Sequence, residues 1–157
     1  MNDNEKLIHK FYTAFQNRDY QKMGECYADN ARFSDEAFIN LDALQTKAMW
    51  KMLCIKGKDL QLTFKNVSAN ETDGSCEWIA KYTFSTTGKK VENRIKAEFK
   101  FANSQIIAHK DTFDFYKWSS QAIGIIGVLF GWTPILKNKV RKTALKNLVD
   151  FIANEQG

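Results

Sequence analysis

Between Glu5 and Asn17 apolar residues recur every three or four positions, with Leu7, Ile8, Phe11 and Phe15 on one side, and this spacing predicts a first helix. The polar run Asn2 to Asn4 supplies its caps. A short second helix is expected from Tyr20 to Tyr27, then a strand around Ala31 to Ser34. Asp42 followed three residues later by Gln45 has the pattern of a capping box, opening a third helix through Leu44, Ala48 and Met52 to about Ile55; Gly57 ends it. The period then changes. "DLQLTFKNV", "SCEWIAKYTFS", "VENRIKAEFKF" and "IIAHKDTFDF" each alternate, and the breaks "NETDG", "TTGKK" and "ANSQ" form turns, so an antiparallel meander of four strands is predicted. One face collects Leu60, Leu62, Phe64, then Trp78, Ala80, Tyr82, Phe84, then Val91, Ile95, Ala97, Phe99 and Phe101. On the third strand the other face shows Glu92, Arg94, Lys96, Glu98 and Lys100, so the sheet has a wet side and an apolar side for the three helices to cover.

Beyond the last strand, Ala122 to Trp132 is apolar nearly all round, too short to span a bilayer and broken by Gly124, Gly127 and Gly131. Such a segment must pack on something. The mouth of a pocket or another subunit is favoured over a membrane surface, because the polar face expected of an interfacial helix is missing. A last helix, "LKNKVRKTALKNLVDFI", sets its lysines opposite Leu136, Val140, Ala144, Leu148 and Ile152.

Composition narrows the class. A chain of 157 residues with 44% hydrophobic content suits one domain with a real core. The N-terminus lacks the basic-then-apolar pattern of a leader, and no stretch approaches the roughly 20 apolar residues of a membrane span, so a cytoplasmic protein is expected. The formal charge is +5, and residues 137–157 carry five Lys or Arg against two acids. The excess therefore sits mostly on one solvated helix face, and no nucleic-acid partner is expected. Cys26, Cys54 and Cys76 are scattered, without a metal-ligand spacing, and read as reduced, buried thiols. His9 lies beside apolar positions of the first helix and is read as structural, so no metal site is expected.

The order helix, helix, short strand, helix, four long antiparallel strands resembles the nuclear transport factor 2-like superfamily, which includes ketosteroid isomerases, SnoaL-like polyketide cyclases and limonene epoxide hydrolases. "FYTAFQNRDYQKMGECYADNARFSD" and "IIAHKDTFDF" carry the resemblance, which covers about residues 5 to 116. It implies an α+β, cystatin-like cone of N-terminal helices packed on a curved antiparallel sheet, spanning residues 1–116, with a helical C-terminal extension over residues 117–157. In ketosteroid isomerases the aspartate after the first strand is the catalytic base, and Asp35 falls on its position. The oxyanion tyrosine, however, corresponds to Phe11, with Tyr12 one residue off on another side of the helix, and the partner acid falls near Ala97. With both donors replaced by apolar groups, ketosteroid isomerase activity is not expected.

The resemblance also makes Phe113 cone-facing. Alternation then puts Ile107, His109, Asp111, Phe113 and Phe115 inside, with Ala108, Lys110, Thr112 and Asp114 outside. His109 and Asp111 would have Cβ atoms about 6 to 7 Å apart. Two readings stay open. Either His109 is a base oriented by Asp111, with Asp35 assisting from the far wall, or the pair satisfies itself, or is satisfied by Tyr12, Tyr82 or a water, in a polar corner of the core. Phe11, Tyr12, Phe15, Phe33, Trp78, Tyr82, Phe99 and Phe113 are expected to line the cone. The function implied is binding of a small, largely apolar molecule, with cofactor-free isomerase, cyclase or hydratase chemistry. A non-catalytic module whose cone is filled by, or whose partner is docked through, "IGIIGVLFGW" is the alternative. A homodimer through part of the outer sheet face is expected.

Overall fold

In the computed structural model, which describes residues 1–156, the chain forms α1 (Asp3–Gln16), α2 (Tyr20–Glu25), β1 (Tyr27–Ser34), α3 (Ala43–Lys56), β2 (Gln61–Ala69), β3 (Asp73–Phe84), β4 (Lys89–Ala102), β5 (Gln105–Thr112), α4 (Phe115–Ile123), α5 (Ile125–Phe130) and α6 (Pro134–Gln156). Both helix starts follow the expected chemistry. Asn2 and Glu5 form a capping box on α1, as Asp42 and Gln45 do on α3, each pair satisfying two backbone N–H groups that a helix start leaves without partners. The turn "ANSQ" closes β4 onto β5 through Asn103 and Ser104, whose φ values of 50° and 60° are those a tight two-residue hairpin requires.

The five strands form one sheet in the order β1-β5-β4-β3-β2. The meander β2 to β5 is antiparallel, as its alternation predicts, whereas β1 joins β5 in parallel and begins at Tyr27, earlier than expected. Along β4 burial alternates without a break, Val91, Asn93, Ile95, Ala97, Phe99 and Phe101 facing the helices and the charged set facing out. A register shift on β5 changes one detail. Phe101 pairs with Ile106 while Lys100 pairs with Ala108, so Ile107 is bulged and Ile106 takes the buried place expected for Ile107. On α3 the buried face runs through Ala43, Thr46, Met49, Trp50 and Cys54, and Leu44 points to solvent, a rotation from the row expected.

The loop between α3 and β2 is tied to the end of α1 by one side chain. The Arg18 guanidinium donates to the carbonyls of Cys54 (3.2 Å), Gly57, Lys58 (2.8 Å) and Leu60 (2.9 Å). Arg18 itself sits at φ 57°, a left-handed position that a non-glycine residue holds only when such contacts compensate.

The C-terminal segment shares the core. Leu148 of α6 is fully buried in the main cluster with Ala144, Phe151 and Ile152 against it, and Lys137 pairs with Glu36 at 2.5 Å. Helix α4 lies on the concave face at its β3–β4 end, where Phe115, Trp118 and Ala122 pack with Val91, Tyr82 and Phe84. Among the described residues no helix is long and apolar enough to cross a membrane.

Candidate active site in the cone

Three neighbouring strands converge on one imidazole. His109 on β5 stands in register between Phe33 on β1 and Phe99 on β4, and their rings pack on it at centroid distances of 4.9 and 4.3 Å. Phe11 of α1 and Trp50 of α3 close it from the helical side. Two residues along the strand, Asp111 stands opposite Ala97, and a methyl there leaves the space a carboxylate needs.

Hydrogen bonds through this group have one consistent direction. Trp50 Nε1 donates to the Tyr27 hydroxyl at 2.9 Å, and that hydroxyl lies 2.7 Å from His109 Nδ1. Burial, the largest cause, and the charge of Asp111 hold the Tyr27 phenol well above its usual pKa, so it keeps its proton. An indole only donates, and Nδ1 is the one acceptor that meets the phenol among the described residues, so the buried phenol's proton points at Nδ1. That assigns the remaining imidazole proton to Nε2, which donates to Asp111 Oδ1 at 2.9 Å. His109 and Asp111 therefore meet, and both imidazole nitrogens are engaged. Both side chains are buried, that of His109 fully and that of Asp111 with 3% exposure.

Asp35 follows β1 directly and is partly buried. Its Oδ1 accepts from the backbone N–H groups of Ala37 (2.7 Å) and Phe38 (2.6 Å), which fix the carboxyl in place. Burial, opposed by the Phe38 N–H and reinforced by the charge of Asp111, pushes its pKa up to about 7. Asp35 in turn adds to the raised pKa of Tyr82, after burial and against the Trp118 N–H that donates to the Tyr82 hydroxyl at 2.7 Å. Two carboxylates that sense each other, one of them pushed into the neutral range, are the kind of pairing that acid/base chemistry uses.

The wall carries two donors without protein acceptors. The Tyr12 hydroxyl and Trp78 Nε1 are buried and unpartnered. Tyr12 lies inside the cone although it is one position away from Phe11 on α1, because both sides of this helix are covered, Phe11 by Tyr27 and Trp50 and Tyr12 by Phe64 and Trp78. Its phenol is held well above the usual pKa, by burial first and by Asp111 second. Cys76 is close enough to act on that phenol but makes no hydrogen bond of good geometry with it. Phe15, Phe33, Trp78 and Phe99 are buried, while Tyr82 and Phe113 are partly open where α4 meets the cone. Among the described residues no three of His, Cys, Asp and Glu gather where one cation would meet them.

Tyr27 and Trp50 were not anticipated as parts of this group. Tyr27 stands in the quoted segment "CYADNARF", ahead of the strand as predicted, and Trp50 becomes visible on α3 only when the helical row is read from Ala43 rather than Leu44.

Comparison with known proteins agrees with this architecture. A search of curated proteins gives no match. Among solved structures, an LEH-like epoxide hydrolase from M. tuberculosis superposes with a TM-score of 0.63 at 15% identity, covering 81% of this chain and 95% of that one. IdmH, a polyketide-cyclase candidate from Streptomyces antibioticus, gives 0.64 at 16%, covering 79% and 100%. TsrD from Streptomyces laurentii gives 0.67 at 14%, covering 78% and 96%. At such identities the likeness is one of fold. The sequence profile of the SnoaL-like domain matches residues 8–109, from the first turns of α1 to His109, and the chain belongs to the SnoaL-like domain family.

Proposed function

We propose that the cone, residues 1–116 closed by the segment 117–157, binds a small, largely apolar molecule in the cytoplasm and acts on it by cofactor-free acid/base chemistry of the isomerase, cyclase or hydratase type. Asp35 carries the proton, Asp111 is the second carboxylate, and His109 holds Asp111 through Nε2. Phe11, Phe15, Phe33, Tyr82, Phe99 and Phe113 form the apolar wall. The observation that carries this reading is the Asp35 carboxyl, fixed by two N–H groups and pushed up to about 7 by burial and by the charge of Asp111, since a general acid or base works best with a pKa near the ambient pH. The unpartnered Tyr12 hydroxyl and Trp78 N–H suit an acceptor oxygen on the molecule bound. Epoxide hydrolysis and polyketide cyclisation, the activities named for two structural neighbours, fall in the same reaction class.

The test is a panel of apolar epoxides and 1,3-dicarbonyl compounds followed by proton NMR without added cofactor. Turnover of at least one class is expected, reduced about 10²- to 10⁴-fold in Asp35→Asn at unchanged circular dichroism. Equal turnover by the variant removes Asp35 from the chemistry. A non-catalytic binding module is the second reading, favoured by the closed aromatic shell around His109. It predicts that panel members bind the wild-type protein and leave unchanged. The outer sheet face is kept as the homodimer surface, for which the sedimentation mass must be twice 18.1 kDa.

A further inference from the structure

Helix α5 is inverted relative to an ordinary surface helix. Its only buried residue is Gly127, packed so tightly on α4 that a Cβ there would lie 2.0 Å from the Ser119 carbonyl oxygen. Gly131, the next buried position, lies against the Ser119 hydroxyl in the same way. From Ile125 to Ile135 every large apolar side chain faces outward. Ile125 and Trp132 are each 74% exposed, Ile135 is 83% exposed, and Ile126, Val128, Leu129 and Phe130 are about half exposed. The hairpin is held in this posture by the Tyr116 hydroxyl donating to the Val128 carbonyl at 3.1 Å and Trp132 Nε1 donating to the Leu129 carbonyl at 3.0 Å. A continuous exposed apolar tip of this kind marks an interaction surface.

Charge selects the partner. On α6 the exposed side chains Ile135, Lys139, Lys142 and Lys146 follow one another at three- and four-residue steps, so the apolar tip continues into a row of cations along one side of the helix. Lys139 and Lys142 have no carboxylate partner among the described residues, whereas Lys137 is tied to Glu36 and Lys146 pairs with Asp150 at 3.2 Å on the exposed helix surface. A second copy docking symmetrically on the tip would bring two such rows together, which like-charge repulsion opposes. The surface of a bilayer containing anionic lipid offers both an apolar layer for the tip and negative head groups for the row, with Trp132 and Tyr116 at the depth amphipathic rings prefer. The missing polar face, which in the sequence argues against a membrane, is explained by α4, since the inner side of α5 meets protein rather than water.

We propose that α5 and the start of α6 seat the protein on anionic membrane surfaces, the α5 tip entering the head-group region and Lys139, Lys142 and Lys146 lying on the lipid phosphates. This inference is independent of the chemistry proposed for the cone.

Co-sedimentation with phosphatidylcholine vesicles containing about 30 mol% phosphatidylglycerol tests it. Binding to these vesicles is expected, weakened by salt and much weaker on phosphatidylcholine alone, with a blue shift of Trp132 emission, the other three tryptophans being buried. The Lys139→Gln/Lys142→Gln variant should partition about 30-fold less at low salt. Phe130→Ser/Trp132→Ser should abolish binding while circular dichroism stays unchanged. No binding to the anionic vesicles, or binding that both variants retain, overturns the proposal. So does a sedimentation mass twice that of the monomer that only the Phe130→Ser/Trp132→Ser variant loses, which would assign the tip to a second copy.

Discussion

Replacing His109 with alanine should lower the stability of the protein by about 3 to 5 kcal/mol, measured as the shift in urea unfolding free energy. The loss has two parts. Removing the ring empties space in contact with Phe33 and Phe99. It also leaves Asp111 inside the protein without its donor and Tyr27 without its acceptor, and an orphaned buried carboxylate is the costlier of the two. Because the groups act as a chain, the effects should not add. Asp111→Leu in the His109→Ala background should cost less than Asp111→Leu alone, with a coupling of about 1 kcal/mol or more. The hydrogen-bond directions have their own readout in the folded wild-type protein. Imidazole ¹⁵N shifts should place the single proton on Nε2, and a proton on Nδ1 instead would reverse the chain from Trp50 to Asp111.

The second large effect concerns pH. Asp35 has a folded pKa of about 7 against 3.8 for the free side chain, so between those values the folded protein holds a proton that the unfolded chain has released. Stability must therefore fall as pH rises through this window. Below pH 3.8 the carboxyl is neutral in both states and costs nothing; above about 7 it is charged in both, and the full penalty is present. At about 1.4 kcal/mol for each pH unit, the contribution reaches up to about 4 kcal/mol. Asparagine at position 35 keeps an oxygen for the N–H groups of Ala37 and Phe38 but has nothing to ionise. Asp35→Asn should thus be more stable than the wild type at pH 8, with the difference reduced to about 1 kcal/mol at pH 4.5. Equal unfolding midpoints for the two proteins at pH 8 would mean that Asp35 is not held in an apolar setting. A variant that gains stability while losing turnover would be an active-site residue kept at a cost to the fold.

How far these features were visible in the sequence depends on whether a local rule or a distant neighbour decides them. The alternation of β4 and the capping pairs Asn2/Glu5 and Asp42/Gln45 are local, and all appear as read. The inward placement of His109 and Asp111 follows from alternation too, because the bulge at Ile107 precedes them and shifts only Ile106. What the sequence hides is who stands opposite. Nothing near Tyr27 indicates that its hydroxyl meets a histidine 82 residues later, since that contact depends on β1 lying parallel beside β5, a pairing set by the whole topology. Nor does α5 reveal its orientation, because glycines that look like helix breaks are the positions at which it grips α4.

The β1–β5 pairing also bears on how the protein folds. The meander from β2 to β5 closes through short turns, so its contacts form between near neighbours in the chain. The β1 strand has to wait. It can be placed only after β5 has been made, and closing that long loop carries the largest entropic cost of any strand pairing in the sheet. The hydrogen bond between Tyr27 and His109 spans the same interval, so the polar group at the centre of the cone is completed only when that last junction closes. During synthesis the aromatic face of β1 and α1 is available to other chains at least until residue 112 has left the ribosome. Refolding should be governed by this step, and the core is complete only once Leu148 of α6 has been added to it.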